Sequence, residues 1–149
     1  MKDFEIIPHT ADLKIRVYGK TLKELFANAL IAMFQSIKPI NTEYNKCSYK
    51  NEKLVCRELT IKHNIELRST ESELLLVDFL SEALCLSDIN NEAYLNLEVH
   101  ELNETFIKAT LLGIKIKGFE VAEIKAVTYH DLNIKFEEGY FVTDIVFDI

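Results

Sequence analysis

Asp12-Leu13-Lys14-Ile15-Arg16-Val17-Tyr18-Gly19-Lys20-Thr21-Leu22-Lys23-Glu24 decides the fold class, because its periodicity changes partway along. Up to Tyr18 the pattern alternates. Leu13, Ile15 and Val17 share one face, and Asp12, Lys14, Arg16 and Tyr18 share the other, as in a strand covered on one side. Gly19-Lys20 turns the chain. Thr21 to Glu24 then reads as a capping box, in which a hydroxyl and a carboxylate satisfy orphan amides at a helix start. Leu22, Leu25, Phe26, Ala29, Leu30, Met33, Phe34 and Ile37 follow at i, i+3, i+4, i+7 spacing, and Pro39 stops the run.

Downstream the same two signals recur. Residues 41–53 are polar and without period, which predicts a loop or an irregular crossing. From Glu58 to Arg68 the alternation returns, with Leu59, Ile61, Ile65 and Leu67 inward. Thr70-Glu71-Ser72-Glu73 offers a second capping box, and Leu75, Leu76, Phe79, Leu80, Ala83 and Leu84 form the stripe of a second helix. Leu74 and Val77 widen that stripe, so the second helix is expected to be the better covered. Strand patterns fill the rest: Ala93, Leu95, Leu97 and Val99 inward, a turn at Leu102-Asn103-Glu104, a return from Phe106 to Ile116 with Gly113 as a bulge or bend. Glu123 to His130 and Ile134 to Ile149 complete the pattern, the latter folded back at Glu137-Glu138-Gly139. Strand, helix, strand, helix and then strands is an α+β order. The expectation is one domain spanning 1–149, a mixed, largely antiparallel sheet packed on one face by two amphipathic helices.

Composition excludes several functional classes. No apolar run approaches the roughly 20 residues of a membrane span, and the start of the chain lacks a signal-peptide core, so a soluble, cytoplasmic protein is expected. The net charge of −7, with 24 acids against 17 bases, disfavours a direct grip on nucleic acid, which needs a basic face. It suits docking onto a basic protein. Cys47, Cys56 and Cys85 are an odd number without C-x-x-C spacing, which argues against a disulfide framework and a zinc site and for idle thiols. Four scattered glycines build no phosphate loop, and no G-x-S-x-G or H-E-x-x-H pattern is present. His9, His63, His100 and His130 are too dispersed for metal-ligand spacing.

Carboxylates are the better candidates. In Tyr140 to Ile149 the residues Phe141, Ile145, Phe147 and Ile149 fall on one face of a strand, which predicts an Ile149 side chain anchored in the core. Asp148 then points the other way, close to the α-carboxylate of Ile149, and a fixed pair of carboxylates is half of a hard-cation site. Asp12, after the loop-like Pro8-His9-Thr10-Ala11, is a candidate third group or a turn carboxylate bonded to nearby amides. Lys125 is by itself a strand-face lysine.

The segments His9-Thr10-Ala11-Asp12-Leu13, Leu25-Phe26-Ala27-Asn28-Ala29, Glu73 to Leu80, Glu123-Ile124-Lys125-Ala126-Val127-Thr128-Tyr129-His130 and Val146-Phe147-Asp148-Ile149 resemble the archease family, in the family's order and from near the first residue to the last. The resemblance implies a non-catalytic activator of the RtcB-type, GTP-dependent RNA ligase of tRNA splicing, one that promotes guanylylation of the ligase and its multiple turnover. It implies a divalent-cation site of oxygen ligands at Asp12, Asp148 and Ile149, Ca2+ being favoured over Mg2+ or Mn2+. It implies a role in activation for Lys125, with His130 and His9 as further candidates, and contact with RNA only through the ligase. Phe119-Glu120-Val121-Ala122 departs from the Arg-His pair usual in the family before the EIKA segment, and Leu80-Ser81-Glu82 stands where Leu-Asn-Glu is usual. Two other classes remain as alternatives: a metal-dependent hydrolase or nuclease, and a metal-independent, chaperone-like adaptor.

Overall fold

Strand-forming and helix-forming segments follow one another as the periodicity predicts, with several additions. The computed structural model describes residues 2–7, 12–42 and 46–149. In chain order the elements are β1 (Phe4–Ile7), β2 (Leu13–Gly19), α1 (Leu22–Ser36), β3 (Pro39–Asn41), β4 (Cys47–Lys50), β5 (Lys53–Cys56) and β6 (Ile61–Arg68). There follow α2 (Ser72–Asn90), β7 (Glu92–Leu102), β8 (Phe106–Phe119), β9 (Ala126–Thr128), β10 (Lys135–Glu137) and β11 (Tyr140–Asp148). The fold class is α+β.

The strands divide among sheets where a single one was expected, and every pairing among the described residues is antiparallel. In the first sheet β2 is flanked by β1 and β11, and β11 carries β10 near its start and β9 near its end. In the second sheet β8 is central: β6 and β7 take opposite edges along residues 107–113, and β3 joins further on. Among the described residues the two strands β4 and β5 pair only with each other, so the polar segment expected to be irregular is a ribbon. Its turn residues, Asn51 and Glu52, both have positive φ, the conformation of a tight hairpin turn.

A single core joins the layers. Ile15, Val17, Ile145 and Phe147 of the first sheet and Ala93, Ile107, Ala109 and Leu111 of the second pack with both helices. Helix α1 touches both sheets, through β2 and β7. Leu25, Phe26, Ala29, Leu30, Met33 and Phe34 are consequently fully buried, and α1, not α2, is the better-covered helix. At its start Thr21 Oγ1 accepts the Glu24 N–H at 3.1 Å, as the capping box predicts. The second box does not form: the N-cap is Glu71, without a side-chain cap bond, and Glu73 Oε2 accepts the N–H of Ile134 at 3.1 Å.

Two β7 irregularities, at Tyr94/Asn96 and Val99/Glu101, also displace the expected alternation. Tyr94 turns inward and is fully buried, its ring edge-on to Phe34 and its hydroxyl donating to Glu92 at 2.8 Å. Gly113, opposite Tyr94 in the register, is a site of close approach: a Cβ there would meet the Ala93 carbonyl oxygen at 2.1 Å.

The cysteine expectation is corrected. Cys47 and Cys56 form a disulfide, and Cys85 is a free, exposed thiol. Directly opposed positions of a short hairpin bring two thiols together irrespective of an odd count, and that pairing was invisible while the segment read as a loop. Among the described residues no helix is long and apolar enough to cross a membrane.

Candidate metal centre

The pairing of β2 with β11 builds the end of the first sheet that matters. Its register runs Arg16 with Asp144, Ile15 with Ile145, Lys14 with Val146 and Leu13 with Phe147. Asp12 and Asp148 are the residues next beyond the last of these pairs on the two strands. Alternation puts both on the face away from Ile15, Ile145 and Phe147, all fully buried. On the other edge β9 pairs Ala126 with Asp148, and the N–H of Lys125 donates to the Asp148 carbonyl oxygen at 2.7 Å. Asp12, Asp148, Ile149 and Lys125 therefore lie toward the same end of the first sheet, although Asp12 and Asp148 are far apart in sequence.

Not every expected feature is there. Ile149 lies beyond β11 and is 44% exposed, so its side chain is not a core anchor; Ile145 and Phe147 do that work, one pleat earlier. The β9 strand runs away from this end, and His130 lies past its far terminus, where its Nε2 approaches Asp131 Oδ2 at 3.1 Å with both side chains mostly in solvent. The structure does not bring His130 to the carboxylates. His9 lies outside the described residues. Neighbouring Tyr129 donates from its hydroxyl to Asp78 Oδ1 at 3.3 Å, and Ser69 Oγ donates to the other oxygen of Asp78 at 2.6 Å, which ties the segment after β9 to α2. Lys125 is exposed and lines a cleft of about 620 Å3 shared with Ser81, Cys85 and Asp88 of α2 and with Gly118 and Phe119.

Next to the carboxylates the outward face carries a charge network that the sequence reading passed over. Arg16 grips Asp144 through Nε at 2.7 Å and Nη2 at 3.1 Å, and Lys14 Nζ stands 3.8 Å from the same carboxylate. The hydrogen bonds from Arg16 hold the Asp144 carboxyl below the usual carboxylate range against partial burial, and Asp144 in turn raises the guanidinium. The signal was present: Asp144 and Arg16 fall opposite one another in the register that opposes Phe147 and Leu13.

The donor chemistry fits a hard cation in part. Among the described residues no three His, Cys, Asp or Glu side chains gather to hold a metal. What the sheet end provides is two side-chain carboxylates, Asp12 and Asp148. Oxygen donors of this kind suit Ca2+, Mg2+ or Mn2+ and not zinc, and the remaining positions would fall to a further carboxylate, to water or to groups of a partner.

Comparison with known proteins gives the family. The archease protein family model matches residues 4–149. The chain is 38% identical to the archease of Methanosarcina mazei, over 99% of this chain and 97% of that protein. It is 35% identical to the archease of Pyrococcus abyssi over the full length of both. The solution structure of protein 1598 of Methanobacterium thermoautotrophicum superposes with a TM-score of 0.71 at 28% identity, covering both chains completely. A crystal structure of an archease from Thermotoga maritima, described as a possible chaperone, superposes with a TM-score of 0.58 at 22% identity over 97% of this chain and 96% of that one. The family match over residues 4–149 and these relatives show that the chain belongs to the archease family.

Proposed function

We propose that this archease activates a GTP-dependent RNA ligase of the RtcB type in the cytoplasm, promoting ligase guanylylation and repeated turnover without catalysing ligation itself. The observation that supports the reading is the register opposing Leu13 and Phe147, the neighbours of Asp12 and Asp148, with the Lys125 N–H bonded to the Asp148 backbone. A divalent cation held by Asp12, Asp148 and the carboxylate of Ile149 would supply concentrated positive charge to phosphate oxygens at the ligase centre. Lys125 would add a second cationic group from the adjoining strand. An acidic protein presenting a cation from a rigid sheet end can dock on a basic, RNA-shaped surface without gripping RNA.

The test is a ligation assay at limiting ligase, with and without this protein. Stimulation should be lost in Asp12→Asn and Asp148→Asn, and in a form extended by one residue after Ile149, all with unchanged circular dichroism. Full stimulation by Asp12→Asn would favour a metal-independent adaptor. Metal-dependent turnover of RNA or nucleotide by the protein alone would favour a hydrolase. Either result sinks the reading.

A further inference from the structure

Among the described residues the β4–β5 ribbon joins neither of the other sheets by backbone strand pairing. Arg57 donates its N–H to the Lys46 carbonyl at 2.8 Å, so the next pair inward, Cys47 and Cys56, opposes without ladder bonds, where antiparallel backbones come closest. Their Cα atoms are 4.0 Å apart and a disulfide joins them. A two-stranded ribbon of this length is marginal alone; the covalent link closes its base. The rest of its attachment is side-chain work. The buried amide of Gln35 donates to the Leu54 carbonyl and accepts the Leu54 N–H, both at 2.9 Å, and Tyr49 donates from its hydroxyl to the Pro39 carbonyl at 2.6 Å.

That last bond leads toward Lys125. The carbonyls of Ile37 and Lys38, just before Pro39, accept the N–H groups of Val121 and Glu120 at 3.1 and 2.8 Å. Residues 120 and 121 begin the irregular segment that runs to Lys125 and β9. The ribbon thus braces, through β3, the base of the segment that presents Lys125.

We propose that Cys47 and Cys56 are a dithiol–disulfide site whose redox state sets the order of the ribbon and, through Tyr49 and the 37–38 to 120–121 bonds, of the segment carrying Lys125. A dithiol reductant donates two electrons and two protons; the S–S bond breaks into two thiols and the reductant closes to its own disulfide. Cys56 is only half-buried and the ribbon lies at the surface, which gives a thiolate access for exchange. The functional meaning of this coupling rests on the activation reading above.

The experiment is amide hydrogen exchange by mass spectrometry on the whole chain, air-oxidised and after dithiothreitol, with iodoacetamide counting thiols. The oxidised form should label once, at Cys85, and the reduced form three times. Reduction should speed exchange at least tenfold in residues 47–56 and severalfold in 119–126, leave β7 and β8 unchanged, and reverse with oxidised glutathione. The double variant Cys47→Ser, Cys56→Ser should reproduce the reduced pattern. Failure of dithiothreitol to reduce the native protein, unchanged exchange in either segment, or loss of protection throughout β7 and β8 each overturns the proposal. No ligase enters this measurement, so it can fail or succeed independently of the activation assay.

Discussion

The N–H of Lys125 is held by the carbonyl oxygen of Asp148 at 2.7 Å, so the lysine is fixed by its backbone while its side chain stays exposed. Position and chemistry can therefore be separated by mutation. Lys125→Ala keeps the N–H and should shift Tm by no more than about 1–2 °C, as expected for an exposed side chain, while stimulation of the ligase is lost. Lys125→Pro removes the donor and should also speed amide exchange in β9 and the end of β11. Thermal melts beside the ligation assay read both effects; equal stimulation by Lys125→Ala and the wild type would remove the lysine from the proposed mechanism.

Arg16 and Asp144 make a two-point contact across β2 and β11 that is partly solvated, at 40% and 24% side-chain exposure. Asp144→Asn should cost about 1 kcal/mol, a value reduced for solvent screening, and the loss should shrink in molar salt. Arg16→Lys should cost nearly as much, because an ammonium cannot reproduce the planar fork. Urea titrations at low and high salt check both.

Glu92 is 3% exposed and contributes to the pH dependence of stability. Burial pushes its carboxyl up, but donors outweigh that: the Tyr94 hydroxyl at 2.8 Å, His63 Nε2 at 2.6 Å and Lys115 Nζ at 3.2 Å hold it below the usual range. A lowered carboxyl stabilises the fold above its unfolded value, about 4.3, and that stabilisation disappears as pH falls through the folded value. Glu92→Ala, which strands the three donors, should cost about 2–4 kcal/mol at pH 7. The difference from wild type should narrow below about pH 4. Denaturant midpoints from pH 3 to 7 measure it, and a gap that widens in acid would reverse the sign assigned here.

Gly113 should tolerate no side chain. A Cβ would sit 2.1 Å from the Ala93 oxygen and 2.9 Å from its carbonyl carbon, both backbone atoms of the paired strand. Gly113→Ala should cost about 3 kcal/mol or more, lowering Tm by about 6–12 °C. Calorimetry settles it.

Much of this architecture is legible in the sequence because periodicity reports burial. Strand β2, the α1 stripe with its Thr21 cap, and the β10–β11 turn at Glu138-Gly139, both of positive φ, follow from the pattern alone. Failures occur where another part of the molecule intervenes. Thr70 does not cap α2 because the helix starts one residue later than the motif implies, with Glu71 as N-cap, and the Glu73 carboxylate goes to Ile134. Tyr94 leaves its expected face at a register shift in β7. The Cys47–Cys56 bond depends on a hairpin whose strands, four residues each, carry little apolar alternation. At the candidate site the individual carboxylates stand out in the sequence, but their placement toward one sheet end is a property of strand register, as is the Arg16–Asp144 contact beside them.

The first sheet joins strands distant in sequence, its β2–β11 ladder spanning 128 positions at the Arg16–Asp144 pair and more at Leu13–Phe147, whereas β7 and β8 are sequence neighbours. Closing so long a loop is slow compared with closing a hairpin. Pulse-labelled exchange during refolding should therefore find β7–β8 protected before β2–β11. The β2–β11 ladder is the part of the fold whose formation waits on the most distant pairing.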